Sequence, residues 1–392
     1  MRTMTETATS AAPEPASSTP APGVRQWLLL GAGPAQVQVL QALAAQPVLG
    51  VQITLVSAHT HPWLPSRVPG FVAGHYSAED CQWSLEPLVQ RSGVQWLRAS
   101  VRTLDASART VQLDDGRTLS FDWASINLPG VHNRELVEQS MPGAREHGLF
   151  AHPLAAFCAL WPQVQTMAMQ RPLRFTVVGA GATGIELACA LQHRVPHASV
   201  TLLSGEHPPG HGYPAALQQR LLQALKRRKI TVLQDRALAM TATSVQLGCG
   251  AELASDVTVL ATPKQVPRWL MESGLELSRD GLMAVDDFQR STSHPWVFAC
   301  GDVCSTPARA DSGVSLARHL TATVAGQALA APAPPRVNWP VINLGQRTAV
   351  TQWCDFTVQG AWVWWLKAWQ ERRWLHAVRA RPPVGSHHPT DV

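Results

Sequence analysis

The chain has 392 residues, of which 45% are hydrophobic and 15% charged, so it is long and apolar enough for two or three globular domains. Its 32 Lys and Arg exceed its 27 Asp and Glu without a dense basic run ahead of the C-terminus, which argues against a nucleic-acid-binding protein. The seven cysteines have no framework spacing, and there is neither an 18-residue apolar stretch nor a signal-type leader. We therefore expect no disulfide-stapled secreted fold and no membrane-spanning helix.

Both ends and one internal segment have compositions that disfavour packing. Residues 1–24 consist mainly of Ala, Pro, Ser and Thr, and a disordered tail is expected there. Residues 331–340 are rich in proline and are predicted to form a linker, and residues 381–392 a second disordered tail. Residues 341–380 are then a small C-terminal segment.

The first ordered unit begins with the apolar run Trp27–Leu30, which ends in the turn Gly31-Ala32-Gly33. A stretch with helical periodicity and a second apolar strand, 51–56, follow. This order predicts a βαβ unit whose turn meets a dinucleotide. The unit is irregular, because Gln36 stands where a third glycine is usual and the second strand ends without an acid. Its candidate cofactor contacts are Gly31, Gly33, Pro34, Ala35 and Ser57.

Two further stretches are predicted to be β-hairpins. One spans residues 101–121 and contains the turn Asp114-Asp115-Gly116. The other spans residues 245–253 and occupies the matching place in the second unit.

A second βαβ unit starts 148 positions after the first, with the strand 174–178 followed by Gly179-Ala-Gly181-Ala-Thr183-Gly184. The first glycine permits the tight turn, the second lets the backbone approach a pyrophosphate, and the third lets the helix pack close to the strand. A strand before this turn and a helix after it predict a bound dinucleotide. Two such units in one chain predict two nucleotide cofactors.

The adenosine end of the second unit lies about 20 positions beyond the last glycine. Ser204, Gly205 and Glu206 stand there, and Glu206 is the candidate for the ribose hydroxyls. The second strand of this unit is predicted at residues 199–203, and no arginine follows it to hold a 2′-phosphate, which favours NADH over NADPH.

A late strand, 297–299, is followed by Cys300-Gly301-Asp302. With both glycine turns, this motif resembles the pyridine nucleotide-disulfide oxidoreductase superfamily. The resemblance implies an α/β fold with two Rossmann-like domains: a discontinuous FAD domain, 25–150 and 285–330, and an inserted NAD(P)H domain, 151–284. It also implies that Asp302 hydrogen-bonds the ribityl chain of the flavin.

The branch is indicated by residues 57–76, which hold no cysteine pair and so do not match the disulfide reductases. This region, with Leu64-Pro65 and Val68-Pro69-Gly70, resembles the type II NADH dehydrogenase branch, including the flavoprotein domain fused to selenophosphate synthases. Pro65 and Gly130, the latter at a loosened copy of a family strand-to-loop motif, join the expected FAD contacts. The resemblance also implies that Glu186 lies near the nicotinamide, the alternative being an acid favoured by the helix dipole.

Quinone-reducing members carry a glutamine motif after the Gly-Asp turn, and His319 stands there instead. His319 is predicted either to donate to the flavin or an acceptor, or to be a structural histidine. The second strand-to-loop motif is also altered, to Ala261-Thr262-Pro263. No metal site is predicted, since His59 and His61 have no further ligands nearby in sequence.

Five of the 15 tryptophans lie between Trp362 and Trp374, in a predicted helix. One face carries Trp362, Trp365, Leu366 and Trp369, and the rest of the helix is predicted to be basic, although Trp364 breaks the separation of the two sides. The basic residues are Lys367, Arg372, Arg373 and Arg379. This composition is typical of a helix in a membrane interface, and the alternative is packing on the flavin domain or on a second subunit of a homodimer.

The expected function is an FAD-dependent NAD(P)H dehydrogenase, a cytoplasmic enzyme that passes electrons to a quinone or another small acceptor. Attachment to the inner face of the plasma membrane is left open. Two alternatives remain: a sulfide:quinone oxidoreductase-like enzyme using Cys158 and Cys354, and a degenerate flavoprotein kept as a scaffold or redox sensor.

Overall fold

The computed structural model describes residues 24–305, 312–329, 341–353 and 356–379. The predicted linker and tails lie outside these ranges, apart from Val24, and so does Cys354. Within them the fold is α/β with two parallel sheets, which confirms the predicted class.

The strands of the described residues are numbered in chain order. They are Arg25–Leu30 (β1), Val51–Val56 (β2), Gln95–Leu97 (β3), Val101–Asp105 (β4), Thr110–Leu113 (β5), Thr118–Ser120 (β6), Trp123–Ile126 (β7), Gly148–Phe150 (β8), Arg174–Val178 (β9), Ser199–Leu203 (β10), Thr231–Leu233 (β11), Ala237–Met240 (β12), Ser244–Leu247 (β13), Glu252–Ala254 (β14), Val257–Leu260 (β15), Val297–Ala299 (β16), Ile342–Asn343 (β17), Ala349–Trp353 (β18) and Phe356–Gly360 (β19).

The α-helices of the same ranges are numbered likewise, and two short 3₁₀ turns, Pro65–Arg67 and Glu79–Cys81, accompany them. They are Pro34–Ala45 (α1), Val68–Val72 (α2), Glu86–Ser92 (α3), Arg134–Ser140 (α4), Ala144–His147 (α5), Leu154–Gln170 (α6), Ala182–Arg194 (α7), Ala215–Arg227 (α8), Arg268–Met271 (α9), Ser312–Val324 (α10) and Ala361–Arg379 (α11). None of these helices is long and apolar enough to cross a bilayer.

The first sheet has the strand order β16-β7-β1-β2-β3, and all its pairs are parallel. Residues Trp27 to Leu30 are at most 2% exposed, because side chains on both faces of this central strand are covered. The strand order reverses beside β1, and such a reversal opens a crevice at the carboxyl ends of the strands.

The second sheet has the order β11-β10-β9-β15-β8, again parallel, and reverses beside β9. Strand β8 pairs with β15 here, whereas the predicted limit at residue 150 assigned it to the first domain. Val266 and Leu270 pack in the same apolar cluster as Leu28 of β1, so the chain returns to the first domain before the predicted limit at 284.

The remaining strands form three small antiparallel sheets. Strands β4, β5 and β6 contain the predicted hairpin turn at Gly116, and β12, β13 and β14 form the second predicted hairpin sheet. Strands β17, β18 and β19 form a C-terminal sheet. Helix α11 packs on it through Val363, Trp364 and Ala368.

Candidate functional site

The second glycine turn connects β9 to α7. Gly179 has φ +107°, and a side chain there would also collide with the backbone of Ala261. A side chain at Gly184 would overlap the Gly179 carbonyl, so this glycine allows the helix to pack close. Gly181 differs: apart from its own chain neighbours and helix backbone, no atom of the described residues lies within 4 Å of the position of a Cβ. Its absent side chain therefore leaves space at the N-terminus of α7 rather than accommodating a protein neighbour.

That space belongs to a cleft of roughly 790 Å³ at the carboxyl edge of the second sheet, which we call the nucleotide cleft. It lies where the strand order reverses, and the first turn of α7, including Thr183, contributes to it. The amide groups and dipole of a helix N-terminus favour an anionic ligand at this place. The cleft is lined mainly by residues 178–183, 203–205, 235–237 and 261–265.

At one end of the cleft lie Ser204 and Gly205, at the end of β10. Glu206 is largely exposed and forms an ion pair with Arg236 (Oε1 to Nη1, 3.3 Å). Arg236 lines the cleft and is missing from the sequence prediction, because it follows β11 rather than the strand examined for a phosphate-binding arginine. The preference for NADH over NADPH therefore stays a prediction.

The other end of the cleft holds a buried polar group at the ends of β8 and β15. His132 Nε2 donates to the Thr262 carbonyl at 2.9 Å, and the His132 and His152 rings are perpendicular with centroids 5.3 Å apart. His152 is 3% exposed, and neither of its ring nitrogens has a partner among the described residues. Burial, and to a lesser degree Lys264 and His132, lower the pKa of His152 to about 3, so its ring is neutral.

Lys264 connects this end to the first domain. Its ammonium lies 2.7 Å from Asp302 Oδ2, which also accepts a hydrogen bond from the Gly130 amide at 3.3 Å. Burial alone would raise the pKa of Asp302, but the ammonium and the amide hold it below its usual value. Asp302 is therefore ionised at neutral pH, beside the predicted FAD contacts Gly130 and Gly301.

The first glycine turn surrounds the buried side chain of Asn127, which follows β7. Asn127 Oδ1 accepts hydrogen bonds from the Ala35 and Gln36 amides at 3.1 and 3.2 Å, and its Nδ2 donates to the Cys300 carbonyl at 2.8 Å. Gly31, with φ +94°, and Gly33 leave room for this residue, since a Cβ at either position would clash with it. Asn127 thus contacts the first glycine turn, the start of α1 and the Cys300-Gly301-Asp302 motif.

Gln36, in place of the third glycine, does not loosen this turn. Its Nε2 donates to the Ser125 carbonyl and hydroxyl, both at 2.9 Å, and the residue is fully buried. Of the other predicted contacts, Pro34 begins α1 and Pro65 begins a 3₁₀ turn. Ser57 is buried at the end of β2, where its hydroxyl donates to the His59 carbonyl at 3.3 Å.

Glu186 is not among the residues that line the nucleotide cleft, and the expected position by the nicotinamide stays a prediction. Its Oε1 accepts from the backbone and side-chain amides of Asn343, both at 2.8 Å, and lies 3.7 Å from Lys367 Nζ. These donors belong to the C-terminal segment and turn the carboxylate toward it. Burial raises the pKa of Glu186, against the lowering effect of Lys367 and Asn343.

His319 lies on the buried face of α10 and is 5% exposed. Its ring packs edge-on against Phe288, with centroids 5.6 Å apart. Leu316 and Leu320 from the same helix belong to the apolar core of the first domain. Of the two predicted roles, this environment favours that of a structural histidine.

A second candidate surface is formed by β18, β19 and α11. Six large apolar side chains are between 42% and 74% exposed there, and we call them the exposed aromatic face: Trp353, Phe356, Trp362, Trp365, Leu366 and Trp369. Trp364 does not interrupt this face, because it points inward and stacks on Tyr76. Lys367 also turns inward, so the opposite side of α11 is less basic than predicted.

Both crevices can be tested for their fit to a dinucleotide. The nucleotide cleft fits, since Gly181 keeps the helix N-terminus open and Thr262 Oγ1 and His152 present buried polar atoms without partners. The first crevice has the same topology and an ionised Asp302 at its edge, which suit a flavin dinucleotide. It differs in that Asn127 already accepts from two amides at the start of α1.

Comparison with known proteins agrees with this geometry. Residues 25–320 match the family described as pyridine nucleotide-disulphide oxidoreductase. Over 294 residues the chain is 28% identical to an NADH dehydrogenase-like protein of Mycobacterium tuberculosis, covering 71% of this chain and 70% of that protein. Over 181 residues it is 25% identical to the type II NADH:quinone oxidoreductase of Staphylococcus saprophyticus, covering 44% of each.

Among solved structures, the sulfide:quinone oxidoreductase of Aquifex aeolicus superposes with a TM-score of 0.76 at 16% identity, covering 91% of both chains. This likeness shows a shared fold. The family match spans most of the described residues and both glycine turns, and it confirms the resemblance predicted from the motifs. The chain therefore belongs to the pyridine nucleotide-disulphide oxidoreductase family, whose members are oxidoreductases that use FAD and NAD(P)H.

Proposed function

We propose that the chain is an FAD-dependent NADH dehydrogenase that passes electrons to a quinone or another small acceptor. The supporting observation is the contact between its two crevices. The nucleotide cleft, open at Gly181, ends at Lys264, and Lys264 bonds Asp302 of the first crevice at 2.7 Å. Two dinucleotides bound at these crevices would bring their reactive ends to this boundary.

FAD, when bound, would supply the acceptor for a hydride from NADH and the donor to the next acceptor. The chain's own residues bind and orient. The N-terminus of α7, with Gly179, Gly181, Thr183 and Gly184, would hold the pyrophosphate of NADH. In the first crevice, Asp302 would accept hydrogen bonds from flavin hydroxyls. The walls of this crevice would be formed by Gly31, Gly33, Pro34, Ala35, Ser57, Pro65, Gly130 and Gly301.

The hydride transfer requires no acid or base from the protein. We assign Glu186 no contact with the nicotinamide, because Asn343 and Lys367 hold its carboxylate. The ribose hydroxyls would meet Ser204 or Glu206, and in the latter case Glu206 would exchange its surface pairing with Arg236 for the ligand.

The sulfide:quinone alternative requires accessible cysteines beside the flavin. Cys158 lies in α6 within the core of the second domain, is 3% exposed, and has a thiol pKa raised by burial. A buried neutral thiol is a poor nucleophile. The complete glycine turn at Gly179 also favours a pyridine nucleotide, so we prefer the dehydrogenase.

A visible spectrum of the purified protein under anaerobic conditions tests the proposal. We expect a flavin spectrum that bleaches with NADH and returns when a quinone is added. Flavin that ignores NADH and NADPH but bleaches with sulfide would support the sulfide:quinone alternative. Flavin that responds to none of the three would indicate a scaffold or sensor.

For the acceptor side, we propose that the exposed aromatic face attaches to the surface of a membrane. Trp side chains prefer the membrane interface, and cations beside them favour anionic headgroups. Arg372 lies over Trp365 and Arg373 over Trp369, at 6.0 and 5.6 Å from the ring centroids. Attachment here would place the chain next to lipid-soluble quinones.

Replacing Trp362, Trp365 and Trp369 together by serine is expected to reduce binding to phosphatidylglycerol vesicles about tenfold or more, measured by flotation. Flavin reduction by NADH in solution should persist, because these side chains point to solvent. Met169→Ser, at a 73% exposed position on α6, is the control and should leave vesicle binding unchanged. If the triple variant binds vesicles normally but changes oligomeric state, the face is a subunit interface instead.

A further inference from the structure

We propose that His152 and Thr262 form a polar socket that binds the carboxamide of the nicotinamide ring. The proposal rests on the proposed function, since it assumes that a nicotinamide dinucleotide occupies the nucleotide cleft. It assigns this end of the cleft a role in recognising the ring, separate from the glycine turn that recognises phosphate.

The position of the two residues follows from the sheet. Thr262 is the second residue after β15, and His152 is the second residue after β8, on the side of β9 opposite to β10 and β11. Ser204 and Arg236 lie at the β10 and β11 side of the same cleft. A dinucleotide with its pyrophosphate at the start of α7 and its adenosine beside Ser204 therefore directs its other end toward β15 and β8.

The second observation is a set of buried polar atoms without partners. Both ring nitrogens of His152 and the hydroxyl of Thr262 have no hydrogen bond to another described residue, although both residues line the cleft. Leaving a buried polar atom unpaired is unfavourable, because the atom loses its bonds to water, so such atoms rarely cluster without a ligand or water. Here three of them belong to two residues that line one cavity.

Their chemistry matches a primary carboxamide. A neutral imidazole offers one donor and one acceptor, and a hydroxyl offers both, while a carboxamide offers two N–H donors and a carbonyl acceptor. The groups that face His152 are His132, Lys264 and, more remotely, Asp302. His132 is fixed by its bond to the Thr262 carbonyl, and Lys264 by its bond to Asp302, so neither supplies the missing partner.

The test measures binding by calorimetry on the purified full-length protein, with NAD⁺ and with ADP-ribose, which lacks the nicotinamide. The first variant is Thr262→Val, which removes an unpaired hydroxyl at almost constant shape. The second is His152→Leu. We expect each variant to bind NAD⁺ roughly fivefold more weakly, which corresponds to the loss of one hydrogen bond of about 1 kcal/mol, and to bind ADP-ribose as the unaltered protein does.

A third ligand tests the same contact by changing the ligand and not the protein. 3-Acetylpyridine adenine dinucleotide keeps the carbonyl and lacks the amide N–H groups. The unaltered protein should prefer NAD⁺ over this analogue, and His152→Leu should remove most of that preference. A change confined to the nicotinamide half would not arise from a merely structural role of either residue.

Three outcomes would overturn the socket. Equal weakening of NAD⁺ and ADP-ribose would mean that the variants disturb the cleft as a whole. Unchanged NAD⁺ binding in both variants would mean that these atoms contact water only. If the unaltered protein binds neither NAD⁺ nor ADP-ribose, the proposed function fails as well, whereas in the first two cases it stands.

Discussion

Replacing Gly181 with leucine is expected to abolish reduction of the flavin by NADH while flavin and fold are retained. The backbone at Gly181 is extended, with φ −72°, and within the described part of the chain no neighbouring atom lies within 4 Å of a Cβ there, so the fold accommodates the side chain. The same side chain fills the space in front of the α7 amides. We expect NADH affinity to fall about a hundredfold or more, which corresponds to about 2.7 kcal/mol. Calorimetry measures the affinity for NADH, and a thermal melt shows whether the fold is retained.

Two variants control this result. Gly181→Ala adds a smaller group and should give an intermediate loss of NADH affinity. Ala216→Leu adds the same bulk on the exposed face of α8, outside the cleft, and should bind NADH normally. If Gly181→Leu loses flavin and still binds NADH, the flavin binds in the nucleotide cleft and NADH in the first crevice.

Replacing Asn127 with leucine is expected to destabilise the first domain and release its flavin. The change removes three buried hydrogen bonds and leaves the Ala35 and Gln36 amides without their acceptor. The expected loss of stability is about 2–4 kcal/mol. Thermal melting measures the loss of stability, and the amount of flavin retained after gel filtration measures its release.

The control is a second asparagine with the same local task. Asn133 Oδ1 accepts from the Glu135 and Leu136 amides at the exposed start of α4. Asn133→Ala should cost about 1 kcal/mol and retain flavin. Tighter flavin binding in Asn127→Leu would contradict the expectation, and would mean that Asn127 competes with the flavin phosphate for the α1 amides.

The glycine turns and the strands beside them are predictable from sequence because their signals are local. A short apolar run, closely spaced glycines and a helical period all lie within about 30 residues. The structure places β1, β2, β9 and β10 at or within two residues of the predicted strands. The fold class and the family followed from these elements, and both are confirmed.

The contacts that complete the site are not local. Lys264 and Asp302 are 38 residues apart, and Asn127 and Cys300 are 173 apart. Their proximity results from the order of strands in the two sheets. Strand ends are the available signal, since Asn127 is the first residue after a buried strand and Thr262 the second.

The partners of Glu186 also depend on tertiary contacts that its motif does not encode. Asn343, 157 residues later, donates twice to its carboxylate, and the place by the nicotinamide that the resemblance implied stays a prediction. Trp364 is a similar case. Its position on the helix predicted an interruption of the tryptophan face, but its ring turns inward and stacks on Tyr76.

The inward turn of Lys367 has a mechanical consequence. Its ammonium lies 3.0 Å from the Ser66 carbonyl and 3.7 Å from Glu186, so one side chain near the C-terminus spans the N-terminal part of the chain and the start of α7. Glu371, one turn on, lies 3.4 Å from Arg67. Helix α11 thus contacts both residues 66–67 and helix α7, and a truncation ahead of Lys367 would remove this set of polar contacts between them.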